Sequence, residues 1–531
     1  MLSTLNLIIM KWFIKLMLPA LVLASCSKEG GSPVETCPES TGERQEVEAH
    51  GLIELGARLE NPYSVRNIGT ALASLYPTRS AADVPVSARY VRFLPKDMEE
   101  YSELEGLGVE MFDHPLDYEI LTDGDWYHDP SVPEDEMTWQ YAVVPVDFAF
   151  PQGIRHEIIE DCFIPDEGME TKGLDDVDWN AVEKKAFEVS GNGNMLVPET
   201  RSKAKPSGRI SIKDDKTGKE EGVACVKMVA NVFVKISTTY TDEQGRYSFS
   251  SKFSAKPRYS ICFQNRLGFT IGLNLILVPA SVSTLGKDDP EGINVIVDGN
   301  ADKTLFRRCA VNNAAYDYYQ KCAASGVTAP PRNLRIWIMN ILKPSCSLMM
   351  HHGAILDTKL VSNYLGVYKA IVRVFAPDIV IGSKNKNGKY SELYTTAVHE
   401  MAHSSHFVKV GSGYWDNYAT YILSSYMTTD SCYGSGNGED AGYCEVGEMW
   451  AYYLENMLYK DRYGANPGRG YSYWFRPEIF VTLEEGGMTR GEIFSALKSD
   501  VTDLEALQKE LVALYPAKKS LITQTFKKYR R

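Results

Sequence analysis

The chain has 531 residues, more than one ordinary hydrophobic core accommodates, so the sequence predicts several folded units. Hydrophobic residues make up 44% and charged residues 24%, which is typical of globular proteins and excludes a largely disordered chain. The formal net charge of -13 argues against a nucleic-acid partner, because affinity for phosphates depends mainly on Lys and Arg.

The amino terminus has the pattern of an export signal. Two lysines precede an apolar run at residues 16–23 that is too short to span a bilayer. The run ends in Leu23-Ala24-Ser25-Cys26, which resembles the bacterial lipobox, in which the Cys becomes the lipidated first residue of the mature protein.

The lipobox resemblance implies a signal peptide at residues 1–25, a lipid anchor on Cys26 and a polar tether at residues 26–56. We therefore expect a location in the cell envelope, in the outer membrane and facing either the periplasm or the outside. The membrane contact is expected through the lipid alone, because no later apolar stretch reaches spanning length.

Residues 57–200 are predicted to form an accessory α/β domain. Residues 89–94 and 109–112 have the pattern of strands, and residues 97–107 that of a polar amphipathic helix. A structural brace is the first expectation for this domain, and a pro-segment or an adhesive module are the alternatives. Residues 184–207, with Gly and basic residues, are predicted to be a linker.

Residues 206–269 change to short β-like runs separated by turn residues, which predicts a β-sandwich; the runs are residues 209–212, 223–226, 232–236, 246–249 and 258–262. The segment from Asp242 to Gly245 is a predicted turn, and the alternation after it places Tyr247 and Phe249 on one face. This segment resembles the carboxypeptidase regulatory-like, transthyretin-like module of secreted bacterial enzymes. The resemblance implies a structural, non-catalytic role.

Residues 270–531 mix both kinds of element, and strands are predicted at residues 271–278, 334–338 and 378–382. Helices are predicted at residues 303–323 and around His399, Tyr421, Glu448 and Leu511. The whole chain is therefore predicted to be multidomain, with an α+β domain at residues 270–531 that follows a β-sandwich and an α/β accessory domain.

The segment His399-Glu400-Met401-Ala402-His403 carries the predicted chemistry. Two His residues four apart on a helix share a face, so both imidazoles can reach one zinc ion. Glu400 lies about 100° around the helix from His399, which suits a proton acceptor better than a ligand. Ser391 is the predicted cap of this helix.

A catalytic zinc needs three protein ligands and an open position, and Glu448 is the predicted third ligand. It lies in Glu448-Met449-Trp450-Ala451, and together with His399 and His403 it resembles the gluzincin metallopeptidases. That resemblance implies a thermolysin-like catalytic domain at residues 270–531. Glu445 is the rival ligand, and Glu445, Glu455 and His406 are candidates for a second shell around the metal.

Some features depart from related families. A metzincin has Gly and His where this chain has His406 and Lys409, which disfavours that class. Tyr452 stands where some thermolysin relatives carry an acidic residue. The donor that stabilises the oxyanion is unassigned, and its candidates are the tyrosines at positions 414, 418 and 443.

Nine cysteines follow Cys26, an odd number, and none forms a Cys-x-x-Cys pair, so a cysteine zinc site is not predicted. Cys432 and Cys444 are the first expectation for a disulfide.

The sequence thus predicts a Zn²⁺-dependent hydrolase, a metallopeptidase that cleaves extracytoplasmic proteins or peptides with water activated by zinc and Glu400. The alternative is an inactive metallopeptidase-like surface lipoprotein that binds glycan or protein. A zinc enzyme that acts on a non-peptide bond is a third possibility, because the ligands do not determine the substrate.

Overall fold

The structure is a computed structural model, and it describes residues 53–79, 83–124, 126–133, 136–165, 176–198, 205–272, 280–300, 302–339, 345–355, 377–383, 389–429, 433–467 and 474–529. The predicted signal peptide, the Cys26 predicted to carry the lipid, most of the predicted tether and Cys432 lie outside these residues. None of the helices within the described ranges has the length and hydropathy that crossing a membrane requires.

The described residues form a mixed α and β protein with eleven α-helices and four β-sheets, which is consistent with a multidomain α+β chain. One buried apolar cluster contains side chains from each predicted unit, among them Tyr90, Ile210 and Met401. The predicted units therefore share a continuous core, and their boundaries stay predictions.

The first described part contains a four-stranded antiparallel sheet in the order β3-β5-β2-β6 and a two-stranded sheet of β1 and β4. Its elements are β1 (Glu54–Arg58), α1 (Val65–Leu75), β2 (Ala88–Leu94), α2 (Met98–Gly106), β3 (Met111–Phe112), β4 (Tyr118–Thr122), β5 (Gln140–Pro145), β6 (Arg155–Cys162) and α3 (Trp179–Val189). Helix α3 covers the start of the predicted linker at residues 184–207, so the linker prediction is partly wrong. Its Val182, Ala186 and Phe187 are buried, and that apolar face favours the helix.

The next strands fall into two sheets. The elements are β7 (Ser207–Lys213), β8 (Glu220–Gly222), β9 (Val226–Val232), β10 (Lys235–Tyr240), β11 (Arg246–Ser248), β12 (Arg258–Asn265), β13 (Thr270–Ile271), β14 (Val282–Lys287), β15 (Asn294–Val297), β16 (Arg335–Met339), β17 (Cys346–Ser347) and β18 (Ile379–Gly382). Strands β7, β8, β11 and β15 form a four-stranded sheet, whereas β10-β9-β12-β13-β16-β18-β17, with β14 beside β12, form an eight-stranded sheet. The larger sheet thus continues across the predicted boundary at residue 269.

Two predicted strands of the sandwich, residues 223–226 and 232–236, are partly wrong because each includes turn residues. Residues 223–225 form a turn in which Cys225 has φ 55°, and residues 232–236 cross the hairpin turn between β9 and β10, where Phe233 has φ 49°. These turns are buried, so their apolar residues look like strands in the sequence. The predicted turn at residues 242–245 is confirmed, and the Tyr247 and Phe249 side chains are both buried with ring centroids 5.4 Å apart.

The described residues after β15 contain eight helices: α4 (Lys303–Ser325), α5 (Tyr390–Val410), α6 (Ser412–Thr429), α7 (Ala441–Tyr463), α8 (Glu478–Glu485), α9 (Arg490–Ser495), α10 (Leu504–Leu514) and α11 (Lys519–Tyr529). Helix α5 packs against α4, α7 and the strands β17 and β18. Two hydroxyl contacts hold it to its neighbours. Tyr318 of α4 donates to Ser405 Oγ at 2.9 Å, and the hydroxyls of Ser347 on β17 and Ser404 lie 3.3 Å apart. The helix that carries both candidate histidines is therefore embedded in the core.

Candidate metal centre

Helix α5 brings the two predicted histidine ligands together. The rings of His399 and His403 have centroids 4.9 Å apart at 81°, and both side chains are almost fully buried. The helix begins at Tyr390 rather than behind Ser391, so the predicted cap is wrong. Asp215, from the turn between β7 and β8, accepts the Ser391 N–H instead, at 3.0 Å.

The third predicted ligand comes from α7. His399, His403 and Glu448 each offer a ligand atom, and these atoms lie within 4.8 Å of one another. His399 Nε2 lies 3.6 Å from Glu448 Oε2, and His403 Nε2 lies 3.6 Å from Glu448 Oε1. One imidazole therefore faces each carboxylate oxygen.

The donor atoms fit a metal ion. Among the described residues, neither His399 Nε2 nor His403 Nε2 has a hydrogen-bond partner, although both atoms are buried. Buried ring nitrogens without partners are costly unless something fills the space between them. Two imidazoles and one carboxylate are a ligand set that suits Zn²⁺ with an open fourth position.

Glu455 occupies the position of an outer partner to this group. Its Oε2 lies 2.9 Å from His399 Nδ1, whereas Glu448 lies nearest the other ring nitrogen, Nε2, and the Glu455 side chain is 1% exposed. A carboxylate on the far nitrogen fixes the tautomer and the ring orientation of a ligating histidine. Burial alone would lower the pKa of His399, but the hydrogen bond that its ring donates to Glu455 and the charge of Glu400 raise this pKa.

Glu448 is held by two tyrosines. Tyr418 on α6 donates to Oε1 at 2.5 Å, and Tyr433 donates to Oε2 at 3.2 Å. Each oxygen of the carboxylate thus has one tyrosine and one histidine beside it. Tyr433 was not among the predicted site residues, because it lies in a Gly-rich loop without any periodic pattern.

The Tyr433 backbone is itself fixed. Its carbonyl accepts the Tyr421 hydroxyl at 2.8 Å and the Trp474 indole N–H at 2.7 Å, and its ring packs edge-on against Phe475. The phenol is therefore preorganised beside Glu448 by side chains from α6 and from the segment before α8.

Tyr452 supports the site by packing rather than by charge. Its ring contacts His399 with centroids 4.6 Å apart, and its hydroxyl lies 3.4 Å from that of Tyr433. Of the two remaining oxyanion candidates, Tyr414 donates its hydroxyl to the backbone carbonyl of the other, Tyr443, at 3.3 Å.

The other predicted residues differ in their positions. Glu400 is fully buried on α5 beside the candidate ligand histidines. Glu445 is not a member of the group of close ligand atoms found in the described part of the chain. His406 is also outside that group and packs against the rings of Tyr414 and Trp415, with centroids 5.1 and 6.1 Å away.

Burial sets the charge of the second and third histidines of α5. It lowers the pKa of His403 well below its usual value, with the neighbouring His399 and His406 adding to the shift, and it lowers the pKa of His406 to about 3. Both imidazoles are therefore neutral at physiological pH. A neutral imidazole is the form in which histidine binds a metal.

Comparison with known proteins adds little. No protein-family model matches the chain, and no curated protein matches it. A 9R-lipoxygenase from Cyanothece PCC8801 is similar over 26% of this chain and 27% of its own, at 11% identity and a TM-score of 0.12. A likeness of that size carries no argument about fold or function.

Proposed function

We propose that this protein is a zinc-dependent metallopeptidase with a gluzincin-like, thermolysin-like active centre. The observation that supports the proposal is the buried group of His399, His403 and Glu448, whose ligand atoms lie within 4.8 Å of one another. The sequence motif and the Glu455 contact to His399 agree with the same interpretation.

In this proposal His399, His403 and Glu448 would hold a Zn²⁺ ion, which would supply a Lewis acid for a water molecule and the scissile carbonyl. Glu400 accepts the proton of the attacking water and delivers it to the leaving amine. Glu455 would orient the His399 ring for binding through Nε2, and Tyr418 and Tyr433 would keep the carboxylate of Glu448 in place.

The proposed substrates are proteins or peptides outside the cytoplasm. This part of the proposal rests on the lipobox-like segment that ends at Cys26, which would attach the protein to the cell envelope by lipid alone. The lipid anchor is testable by mass spectrometry of the amino-terminal peptide, which should begin at a diacylated Cys26.

The proposal is tested by Glu400→Gln, which keeps the size of the side chain and removes its basicity. We expect the variant to retain about one zinc per chain and to lose peptide hydrolysis by roughly 10²–10⁴-fold, the usual contribution of general acid–base catalysis. Glu392→Gln is the matched control, because Glu392 lies in the first turn of the same helix and pairs with Lys389 at 2.7 Å. It should keep both properties.

The measurement is zinc quantification together with cleavage profiling on a library of proteome-derived peptides. Full peptidase activity in Glu400→Gln would contradict its assigned role. Wild-type protein without zinc would contradict the enzyme and favour a surface lipoprotein that binds glycan or protein. Zinc without peptide cleavage would favour hydrolysis of a different bond.

A further inference from the structure

The hairpin of β7 and β8 directs three acidic side chains at α5 and α7, the two helices that carry the candidate metal ligands. We name residues 213–222 the acidic hairpin; its acidic contacts come from Asp214, Asp215 and Glu221. The hairpin belongs to the segment that resembles a non-catalytic module, and it reaches the first turn of α5 and the last turn of α7.

The contact with α7 is made by two carboxylates and one guanidinium. Asp214 Oδ2 accepts Arg462 Nη2 and the Tyr463 hydroxyl, both at 3.0 Å, and Glu221 Oε1 accepts the same Arg462 Nη2 at 2.6 Å. Asp214 is fully buried, and its other oxygen accepts the Lys216 N–H at 2.9 Å within the hairpin. The carboxylate that holds α7 is therefore rigid in its own turn.

The contact with α5 uses the remaining acidic oxygens. Asp215 accepts the N–H of Ser391 at 3.0 Å and its hydroxyl at 3.3 Å, and Glu221 Oε2 accepts the Tyr390 hydroxyl at 3.3 Å. The Arg462 guanidinium lies over the Tyr390 ring, 4.9 Å from its centroid. Negative charge at the start of α5 and positive charge at the end of α7 also suit the two helix dipoles.

These contacts bear on the axial register of α5 relative to α7. His399 lies nine residues after Tyr390, about 13 Å along α5, and Glu448 lies fourteen residues before Arg462, about 21 Å along α7. Helices are stiff along their axes, so pinning one end of each to a single hairpin fixes where their ligands meet. A metal site tolerates errors of only about 0.2 Å in ligand distances.

We propose that the acidic hairpin positions the metal centre by fixing the register of α5 against α7. Asp214, Glu221 and Arg462 are then positioning residues, although none of them touches the ligand group. This inference rests on the proposed function, because it assigns the hairpin a role in the same metal site.

The first test compares zinc affinity, measured by competition with a chromophoric chelator, with stability, measured by urea unfolding of the zinc-free protein. Asp214→Asn and Glu221→Gln should each weaken zinc binding about tenfold, the lower end of the range for outer partners of a metal site. Arg462→Lys should recover part of the affinity lost in Arg462→Met, because a single nitrogen meets both carboxylates.

Asp117→Asn is the matched control. Asp117 is also a buried carboxylate that accepts from an arginine and a tyrosine, namely Arg58 at 2.7 Å and Tyr90 at 3.1 Å, but it lies in the amino-terminal region. The control should lower stability and leave zinc affinity within about twofold of wild type. Equal zinc affinity in Asp214→Asn and wild type would overturn the inference.

The second test needs no metal. Hydrogen exchange of the zinc-free protein should show that Asp214→Asn speeds exchange in the ligand-bearing turns, residues 396–403 and 445–452, as well as at the helix ends. Faster exchange confined to the first turn of α5 and the last turn of α7 would overturn the inference. Wild-type protein that binds no zinc would instead contradict the proposed function, and the exchange comparison would still decide the role of the hairpin.

Discussion

The contact between Glu455 and His399 gives a quantitative prediction about metal affinity. Glu455→Gln keeps the side-chain shape and removes the charge that lies 2.9 Å from His399 Nδ1 in a fully buried setting. Outer partners of this kind are worth about 10- to 100-fold in metal affinity, which corresponds to about 1.4–2.7 kcal/mol. We therefore expect the zinc dissociation constant to rise by that factor while one zinc per chain still binds at saturation.

The assay is a zinc competition titration near neutral pH, with Glu484→Gln as the control. Glu484 is also a carboxylate bonded to α7, since it accepts the Tyr453 hydroxyl at 2.7 Å, but it does not touch a candidate ligand. Zinc affinity in Glu455→Gln within twofold of wild type would refute the role of this carboxylate in orienting His399.

Three further predictions concern Glu445, Tyr433 and His351. Glu445→Gln should retain zinc and activity, whereas loss of the metal would make Glu445 the ligand in place of Glu448. Tyr433→Phe removes one of two donors to Glu448 and should cost about 1 kcal/mol in zinc binding free energy by competition titration; an unchanged affinity would show that the Tyr418 contact suffices. Burial and the charge of Arg335 lower the pKa of His351 to about 4 in the folded protein. In the unfolded chain this ring takes up a proton near pH 6.5, so the free energy of unfolding should decrease as the pH falls from about 6.5 towards 4. His351→Gln should therefore lose less stability than wild type over that pH range, as measured by urea unfolding. The same dependence of unfolding free energy on pH in both proteins would refute the lowered pKa of His351.

The local part of the candidate metal centre could be predicted from the sequence. The spacing of His399 and His403 places them on one face of a helix, and the apolar pattern around Glu448 predicts a second helix that brings a carboxylate. The structure has both helices and brings the three side chains together.

The contacts between distant segments could not be predicted in this way. Asp215 replaces Ser391 as the cap of α5 from 176 positions away in the chain, and Asp214 meets Arg462 across 248 positions. Such pairs leave no periodic pattern, because they depend on how the elements pack. For the same reason Tyr433 was missed, and the buried hairpin turn at Phe233 was mistaken for a strand.

The most direct test of the zinc site is X-ray absorption at the zinc edge of the purified, dialysed protein. We predict one zinc per chain with nitrogen and oxygen neighbours at about 2.0–2.2 Å, including two imidazoles, and loss of this signal in His403→Ala. Sulfur neighbours at about 2.3 Å, or a signal unchanged in His403→Ala, would contradict a site built from His399, His403 and Glu448.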